Sequence, residues 1–201
     1  FLNWFSEYNL VPLGMALKLH LLSGAAIEKQ KKEEYQKYQI VTNKEKYKLS
    51  DEQDNNFREL IKIDKSFRVH LLQGTTGSGK TIVYFKAIEK IVNQGKQSLI
   101  LLPEIGLTGE FEKKFKNFFG FEAAIWHSKI TPKRKKVIWS GLANGEIKVV
   151  IGARSSLFLP FKKLGLIVVD EEHDQSFKQD EGVTYNARDM AIARANSENI
   201  P

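Results

Sequence analysis

The sequence predicts an α/β protein built on a doubly wound, mostly parallel sheet. From about residue 67 onward, short runs that are apolar throughout alternate with longer segments of helical periodicity. Strands covered on both faces are continuously apolar, and helices between them imply parallel crossovers. The composition, 42% hydrophobic and 27% charged residues, is that of a globular chain.

The first 48 residues differ from the rest of the chain. Residues 1–26 are apolar and aromatic, and the break at Pro12-Leu13-Gly14 predicts two short helices. This segment has too few residues for a core of its own, so we expect it to pack against another part of the protein. Residues 27–48 are rich in lysine and glutamate and contain neither Gly nor Pro, which indicates a charged linker.

The alternating pattern then assigns each element in turn. The predicted strands are FRVHLL (67–72), SLILL (98–102), EAAIW (122–126), KVVIG (148–152) and LGLIVV (164–169). The predicted helices cover 80–93, with Gly95 in the C-terminal cap region, then 108–119, a segment opened by Thr131 as N-cap and Pro132 in the first turn, and 186–196.

The bulk composition narrows the classes of function. The chain contains no cysteine, which excludes disulfides and thiolate metal sites within it and fits a reducing, intracellular setting. No apolar run approaches the roughly 20 residues of a membrane span. The net charge of +7 fits a nucleic-acid partner and equally a solvated lysine-rich surface. Because the chain begins at Phe1 without an initiator methionine, we expect it to be a fragment.

The segment GTTGSGKT matches the phosphate-binding pattern G-x-x-x-x-G-K-[ST]. Backbone N–H groups can close around phosphate oxygens only where side chains do not block them, and the following helix adds its N-terminal partial charge. Lys80 would neutralise the β- and γ-phosphates and Thr81 would bind Mg²⁺. The predicted nucleotide-binding residues are Gly74, Thr75, Thr76, Gly77, Ser78, Gly79, Lys80 and Thr81. The alternative is a flexible loop that matches by chance.

An acidic segment, DEEHD, follows the apolar strand LGLIVV. Open parallel sheets bind ligands at the carboxyl ends of their strands. There Asp170 would hold Mg²⁺ and Glu171 would polarise the attacking water. Alone, such a run could be a solvated turn, but together with the phosphate loop it favours nucleoside triphosphate hydrolysis.

Several segments together give the chain a family resemblance. DEEH resembles the DEAH-type box of superfamily 2 helicases, and PEIGLT, GARSSLF, PFKKLGLIVVDEEHD and YNARD are similar to the PriA (primosomal protein N′) family of bacterial replication-restart helicases. The resemblance implies that residues 49–201 are the first RecA-like motor lobe of an ATP-dependent 3′→5′ DNA helicase. It also implies that residues 1–26 follow an N-terminal DNA-binding domain. The implied partners are single-stranded and forked DNA, other primosome proteins and single-stranded DNA-binding protein, in the bacterial cytoplasm at the nucleoid.

The resemblance also suggests individual roles. Gln53 would read adenine, or is a plain surface residue before a helix. Thr108, Arg154 and Ser155 would hold the DNA backbone, although Arg154 could instead be a structural ion-pair partner. The segment from His173 to Arg188 would sense single-stranded DNA. In it Phe177 and Tyr185 would stack on bases or pin the loop to the core, Lys178 would meet phosphate, and His173 would couple the loop to the γ-phosphate.

The chain departs from the family pattern in three ways. No winged-helix domain separates the N-terminal segment from the motor, and Val183 stands where a tryptophan is expected. The chain also ends before a Ser-Ala-Thr motif, so the second lobe, with its arginine finger and zinc module, would lie downstream. Without the finger, worth about 10³-fold or more in rate, we expect residues 1–201 alone to show almost no DNA-stimulated turnover. The rival interpretations are a fork-binding fragment with a vestigial nucleotide site, and a P-loop ATPase or kinase acting on a small molecule.

Overall fold

The computed structural model describes residues 1–21, 47–61, 66–75 and 77–201. Apart from Tyr47 and Lys48, the predicted linker lies outside this part of the chain. The helices are α1 (Leu2–Tyr8), α2 (Leu13–His20), α3 (Asp51–Ile61), α4 (Lys80–Asn93), α5 (Gly109–Phe119), α6 (Pro132–Asn144) and α7 (Ala187–Glu198). The strands are β1 (Gln97–Leu101), β2 (Ala124–Trp126), β3 (Val149–Gly152), β4 (Leu164–Val169), β5 (Lys178–Gln179) and β6 (Tyr185–Asn186).

The main sheet has four strands in the order β2-β3-β1-β4, and all its pairs are parallel. The period of two along a strand sends alternate side chains to opposite faces. On β1, Leu99 and Leu101 enter the core beneath α6 and α7, whereas Ile100 enters the core beneath α4 and α5. Both faces are therefore covered by helices, and the predicted fold class is confirmed.

Local sequence signals position the helices on each side. The Thr131 hydroxyl accepts a hydrogen bond from the Arg134 N–H and Pro132 opens α6, as predicted. Gly95, just past the end of α4, has a φ of 76°, which glycine adopts without strain. Thr131 ends the loop that follows the carboxyl end of β2, whereas Gly95 lies in the short connection that leads into the amino end of β1.

The two N-terminal helices pack on the lobe, as their small size predicted. Phe5 of α1 is fully buried and meets Phe158 edge to face, with ring centroids 5.0 Å apart. His20 Nδ1 lies 2.7 Å from the Phe158 carbonyl oxygen, and Trp139 Nε1 donates to the His20 carbonyl at 3.0 Å. Among the described residues, no helix is long and apolar enough to span a bilayer.

The predicted strand FRVHLL is wrong for this structure. Residues 67–72 form no strand, and Val69 and Leu71 are 60% and 77% exposed. A strand needs a neighbour for its backbone hydrogen bonds, and none of the described strands pairs with this segment. The segment is instead fixed by the Phe67 N–H, which donates to Asn199 Oδ1 at 2.9 Å.

Candidate functional site

The phosphate loop runs into α4 along a backbone that only glycine accommodates well. Gly77 and Gly79 have φ values of 85° and 84°. A Cβ on Gly74 would lie 2.6 Å from Ser78 Oγ, so a side chain there would require the Ser78 hydroxyl to move. Thr76 lies outside the described residues. The described part of the loop has the bare backbone that a phosphate cradle needs.

Lys80 points back into this loop. Its Nζ donates to the carbonyl oxygens of Gly74, at 2.5 Å, and Thr75, at 3.2 Å. A lysine ammonium has three donors, and these backbone acceptors hold it beside the start of α4. Positive charge from the ammonium and from the helix N-terminus is therefore concentrated where phosphates would lie.

Gln53 contacts the phosphate loop from α3. It forms a capping box with Ser50: the Gln53 N–H donates to Ser50 Oγ at 3.3 Å, and the Ser50 N–H donates to Gln53 Oε1 at 3.0 Å. Gln53 Nε2 donates to the Ser78 carbonyl at 2.9 Å. The side chain thus braces the loop in this structure, and its predicted contact with adenine stays a prediction.

Asp170 follows the last residue of β4, and its side chain is held from two directions. The Tyr84 hydroxyl of α4 donates to Oδ2 at 2.7 Å, and the Glu171 N–H donates to Oδ1 at 3.0 Å. The Asp170 N–H donates to the Leu101 carbonyl at 3.0 Å, which fixes the backbone against β1. Tyr84 is not among the site residues that the sequence predicted, although its spacing of three residues from Thr81 places both on one face of α4.

The environment of Tyr84 keeps its hydroxyl protonated. Burial and then the negative charge of Asp170 raise the pKa of Tyr84 above its ordinary value, although a hydrogen bond with Thr81 acts in the opposite direction. A protonated phenol is a hydrogen-bond donor to the carboxylate. The helix that carries Lys80 and Thr81 is therefore joined directly to the acidic end of β4.

Glu171 occupies an unusual backbone conformation. Its φ of 51° lies in the left-handed region, which few residues other than glycine adopt. The side chain is 58% exposed, and its Oε2 lies 3.7 Å from His173 Nε2. Such conformations concentrate at functional sites, where the surrounding structure maintains them. Here the turn is closed by the Asp174 N–H, which donates to the Glu171 carbonyl at 2.9 Å.

The donors at this edge suit a magnesium nucleotide. Thr81 supplies a hydroxyl and Asp170 a carboxylate, and Mg²⁺ typically takes one or two such ligands and completes its shell with phosphates and water. Across the described ranges, no group of three or more His, Cys, Asp or Glu could hold a metal by itself. The residues therefore fit a cation that arrives with phosphates.

The three residues predicted to hold the DNA backbone are already engaged with the protein. Thr108 caps α5, and its hydroxyl accepts from the Phe111 N–H at 3.3 Å. Ser155 Oγ accepts from Trp126 Nε1 at 3.1 Å, and Arg154 donates to the Lys178 carbonyl. Each follows the carboxyl end of a strand, β1 or β3, so they share the sheet edge at which Asp170 lies. The structure brings them to one edge, and their contact with DNA stays a prediction.

The predicted stacking of Phe177 and Tyr185 on bases is wrong for this conformation. Phe177 is 1% exposed and Tyr185 is 4% exposed. The Tyr185 ring meets Phe158 and Phe5 edge to face, at centroid distances of 5.3 and 5.6 Å. Burial also raises the pKa of Tyr185 to about 12. Rings enclosed in this way have no open face for a base, so both residues pin the loop to the core.

The polar residues of the same loop are exposed and paired. The Lys178 ammonium lies 3.0 Å from Asp180, and the Arg188 guanidinium lies 3.0 Å from both Glu172 and Asp189. Such exposed pairs contribute little stability and exchange partners readily. Lys178, Arg188 and His173 therefore keep their predicted roles toward DNA or nucleotide as predictions.

Replacement of Phe177 by alanine tests the revised role. Because the ring is buried, we expect a loss of about 3–5 kcal/mol in the free energy of unfolding. The predicted basal and DNA-stimulated ATP turnover should fall together, in proportion to the fraction of the protein that remains folded. Thermal melting and both rates are the measurements, and Phe177→Leu, which retains apolar volume, should lose less stability. A normally stable Phe177→Ala protein that lost only DNA stimulation would restore the stacking role.

Comparison with known protein families shows the family to which the chain belongs. Residues 46–197 match the family described as "Type III restriction enzyme, res subunit". The chain belongs to this family. It is also 47% identical over 193 residues to the replication restart protein PriA of Rickettsia felis, and 42% identical over 156 residues to that of Bacillus subtilis. The predicted resemblance to PriA is confirmed.

The coverage of these matches is asymmetric. The alignments include 96% and 76% of this chain, but only 29% and 19% of the two PriA proteins. The chain thus spans less than a third of the length of these relatives. Any activity of a whole protein therefore has to be argued from the site itself.

A solved structure supports the fold independently. The chain superposes on a chain of the "Structure of RecG bound to three-way DNA junction" with a TM-score of 0.58 and 28% identity. The match covers 81% of this chain and 26% of that one. With the parallel four-stranded sheet, it confirms the predicted RecA-like lobe.

Proposed function

We propose that residues 49–201 are the first RecA-like lobe of a DNA helicase that hydrolyses ATP with Mg²⁺ and acts in replication restart. The observation that carries the proposal is the 2.7 Å hydrogen bond from Tyr84 to Asp170, which joins the phosphate-loop helix to the acidic end of β4. A protein that only binds phosphate does not need an acidic residue beside its phosphate loop, whereas one that hydrolyses a nucleoside triphosphate does. The name of the PriA relatives supports the process, replication restart, and the RecG structure bound to a three-way DNA junction supports DNA as the partner.

The chain's own residues divide the chemistry among them. The backbone N–H groups of residues 74–79 and the Lys80 ammonium hold the phosphates, while Thr81 and Asp170 hold the cation. Mg²⁺ supplies charge neutralisation on the phosphate oxygens. Glu171 orients the attacking water and accepts its proton, for which its exposed carboxylate is free to turn. Gln53, at the rim of the loop, contacts the adenine.

On the DNA side, Thr108, Arg154 and Ser155 bind the phosphates of a single strand, with movement in the 3′→5′ direction. Arg154 connects this surface to the loop after β4, because it donates to the Lys178 carbonyl. Bound DNA then affects Glu171 through three polar residues, Lys178, Arg188 and His173. The net charge of +7 is compatible with a polyanionic partner.

The proposal extends to the domain bounds and partners that the family resemblance implies. Residues 1–26 follow an N-terminal DNA-binding domain, and residues 27–48 link them to the motor lobe. Forked DNA, other primosome proteins and single-stranded DNA-binding protein are the partners, in the bacterial cytoplasm at the nucleoid.

The test is strand separation by the full-length protein on a synthetic fork. We expect ATP-dependent unwinding of a duplex with a 3′ single-stranded tail, none of a duplex with a 5′ tail, and none by Lys80→Ala. Fork binding of equal strength with and without ATP, and no unwinding, would instead indicate a vestigial nucleotide site. ATP turnover indifferent to every DNA would favour a small-molecule ATPase.

A further inference from the structure

Tyr84 is a buried polar side chain at the edge of the candidate site, and none of the sequence motifs includes it. It is 6% exposed, and its ring packs edge to face on Phe85, with centroids 5.3 Å apart. Buried hydroxyls are normally satisfied, and this one is satisfied by Asp170 Oδ2 at 2.7 Å. The Tyr84 ring is therefore buried, and its hydroxyl contacts Asp170 at the carboxyl end of β4.

The hydrogen bonds at Asp170 determine how its carboxylate is oriented. Rotation about the last side-chain bond of aspartate is broad, so an aspartate at a strand end samples many orientations. Here Oδ2 accepts from Tyr84 and Oδ1 accepts from the Glu171 N–H. Two donors from different elements fix the plane of the carboxylate and leave the remaining lone pairs of both oxygens available to a cation or its water.

Tyr84 also links this orientation to the phosphate loop. It lies one helical turn after Thr81, in the same helix that begins with Lys80. A rigid helix carries both the hydroxyl proposed to bind the cation and the phenol that orients the opposing carboxylate. The Tyr84 hydroxyl therefore contacts Asp170 and also interacts with Thr81, the two residues proposed to bind the cation.

We propose that Tyr84 is a positioning residue for the divalent cation that accompanies the nucleotide, acting by holding the Asp170 carboxylate toward Thr81. The inference rests on the proposed function, because it requires a cation–nucleotide site between these residues. It adds a requirement that the motifs do not contain: a hydroxyl at position 84. Outer partners that orient a ligand typically change metal affinity by 10- to 100-fold when removed.

The experiment compares wild type with Tyr84→Phe in the full-length protein. Phenylalanine keeps the ring and its packing and removes only the hydroxyl. Mn²⁺ binding is measured by electron paramagnetic resonance in the presence of saturating ADP, and ADP binding is measured separately in EDTA. We expect Mn²⁺ affinity to fall about 10-fold or more, and ADP affinity without metal to stay within about two-fold of wild type.

Tyr185→Phe is the matched control for Mn²⁺ binding. Tyr185 is equally buried, but its hydroxyl has no hydrogen-bond partner within the described part of the chain, and its ring lies in the core. We expect the control to bind Mn²⁺ as wild type does. Melting curves of all three proteins show whether each is folded at the temperature used.

Each outcome of the experiment either supports or overturns the inference. Weaker Mn²⁺ binding by a folded Tyr84→Phe alone supports the inference. Equal Mn²⁺ affinity in wild type and Tyr84→Phe, with a lower melting temperature at most, overturns it and makes the hydrogen bond purely structural. Absence of ADP-dependent Mn²⁺ binding in wild type overturns the proposed function together with the inference. If Tyr84→Phe does not fold, Tyr84→His, which retains a ring with a donor, should keep more Mn²⁺ affinity than Tyr84→Leu, and equal affinities would overturn the inference.

Discussion

Replacing Lys80 by alanine is expected to abolish ATP hydrolysis by the full-length protein, with a fall in kcat of at least about 10²-fold. The ammonium lies inside the phosphate loop, where it donates to the Gly74 and Thr75 carbonyls. It therefore needs only to exchange these acceptors for phosphate oxygens. Because its charge acts most strongly on the charge that develops at the γ-phosphate, we expect kcat to fall more than nucleotide affinity does. Steady-state ATP turnover and nucleotide binding are measured side by side.

Lys90→Ala is the control for this substitution. Lys90 lies in the last turn of the same helix, and its Nζ donates to the Ile61 carbonyl at 3.2 Å, far from the loop. The substitution Lys90→Ala removes one positive charge from α4 without altering the phosphate loop. The ATP turnover should therefore stay close to that of wild type. Equal losses in the two variants would mean that net charge, rather than the cradle, controls the rate.

Glu171→Gln is expected to retain ATP binding while turnover falls about 10²- to 10⁴-fold, the usual contribution of a general base. Glutamine keeps the size of the side chain but cannot accept a proton from water at neutral pH. The left-handed backbone at this position, with φ of 51°, is no harder for glutamine than for glutamate. A single-turnover experiment with a labelled nucleotide separates binding from the chemical step.

The neighbouring carboxylate provides a matched control. The Glu172 carboxylate accepts a hydrogen bond from the Arg188 guanidinium at 3.0 Å. Because it is already paired, we do not assign it the role of base that we propose for Glu171. Glu172→Gln should change the turnover far less than Glu171→Gln does. Wild-type turnover in Glu171→Gln would remove Glu171 as the base, and a large loss in Glu172→Gln alone would transfer that role to Glu172.

The local chemistry of the sequence was sufficient to predict most of the fold. Helix α4 was predicted with its observed bounds, Lys80–Asn93, since a glycine turn precedes it and Gly95 follows it. Strand β4 was also predicted with its observed bounds, Leu164–Val169. Where an apolar run is flanked by strong turn or cap signals, local preference and tertiary packing agree, and the element can be recognised without the structure.

The prediction failed where an element depends on a partner. The run at 67–72 has apolar residues at alternate positions, Phe67, Val69 and Leu71, as a half-buried strand does, but local preference cannot supply a neighbouring strand to bond with. The sequence pattern did not predict the short hairpin β5–β6, because here two segments pair without a local strand signal. Its strands have two residues each, and their pairing depends on the loop packing around Phe177 and Tyr185.

The candidate site shows the same division. Lys80, Thr81, Asp170 and Glu171 belong to patterns of residue type at fixed spacing, and the sequence contains those patterns in full. Tyr84 belongs to no pattern, because its contact with Asp170 joins residues from two distant segments of the chain. The roles of Phe177 and Tyr185 depended on burial, and an aromatic side chain in a loop is equally compatible with a core and with a binding surface.

ATP turnover by the full-length protein, measured with and without single-stranded DNA at low and high salt, shows whether hydrolysis is coupled to DNA. We propose this coupling because one sheet edge carries both the hydrolytic residues and the residues assigned to DNA. We predict that DNA raises the turnover, that the stimulation weakens as salt rises because phosphate contacts are screened, and that Glu171→Gln removes it. The same turnover with and without DNA, in protein shown to bind DNA, would contradict the proposed coupling.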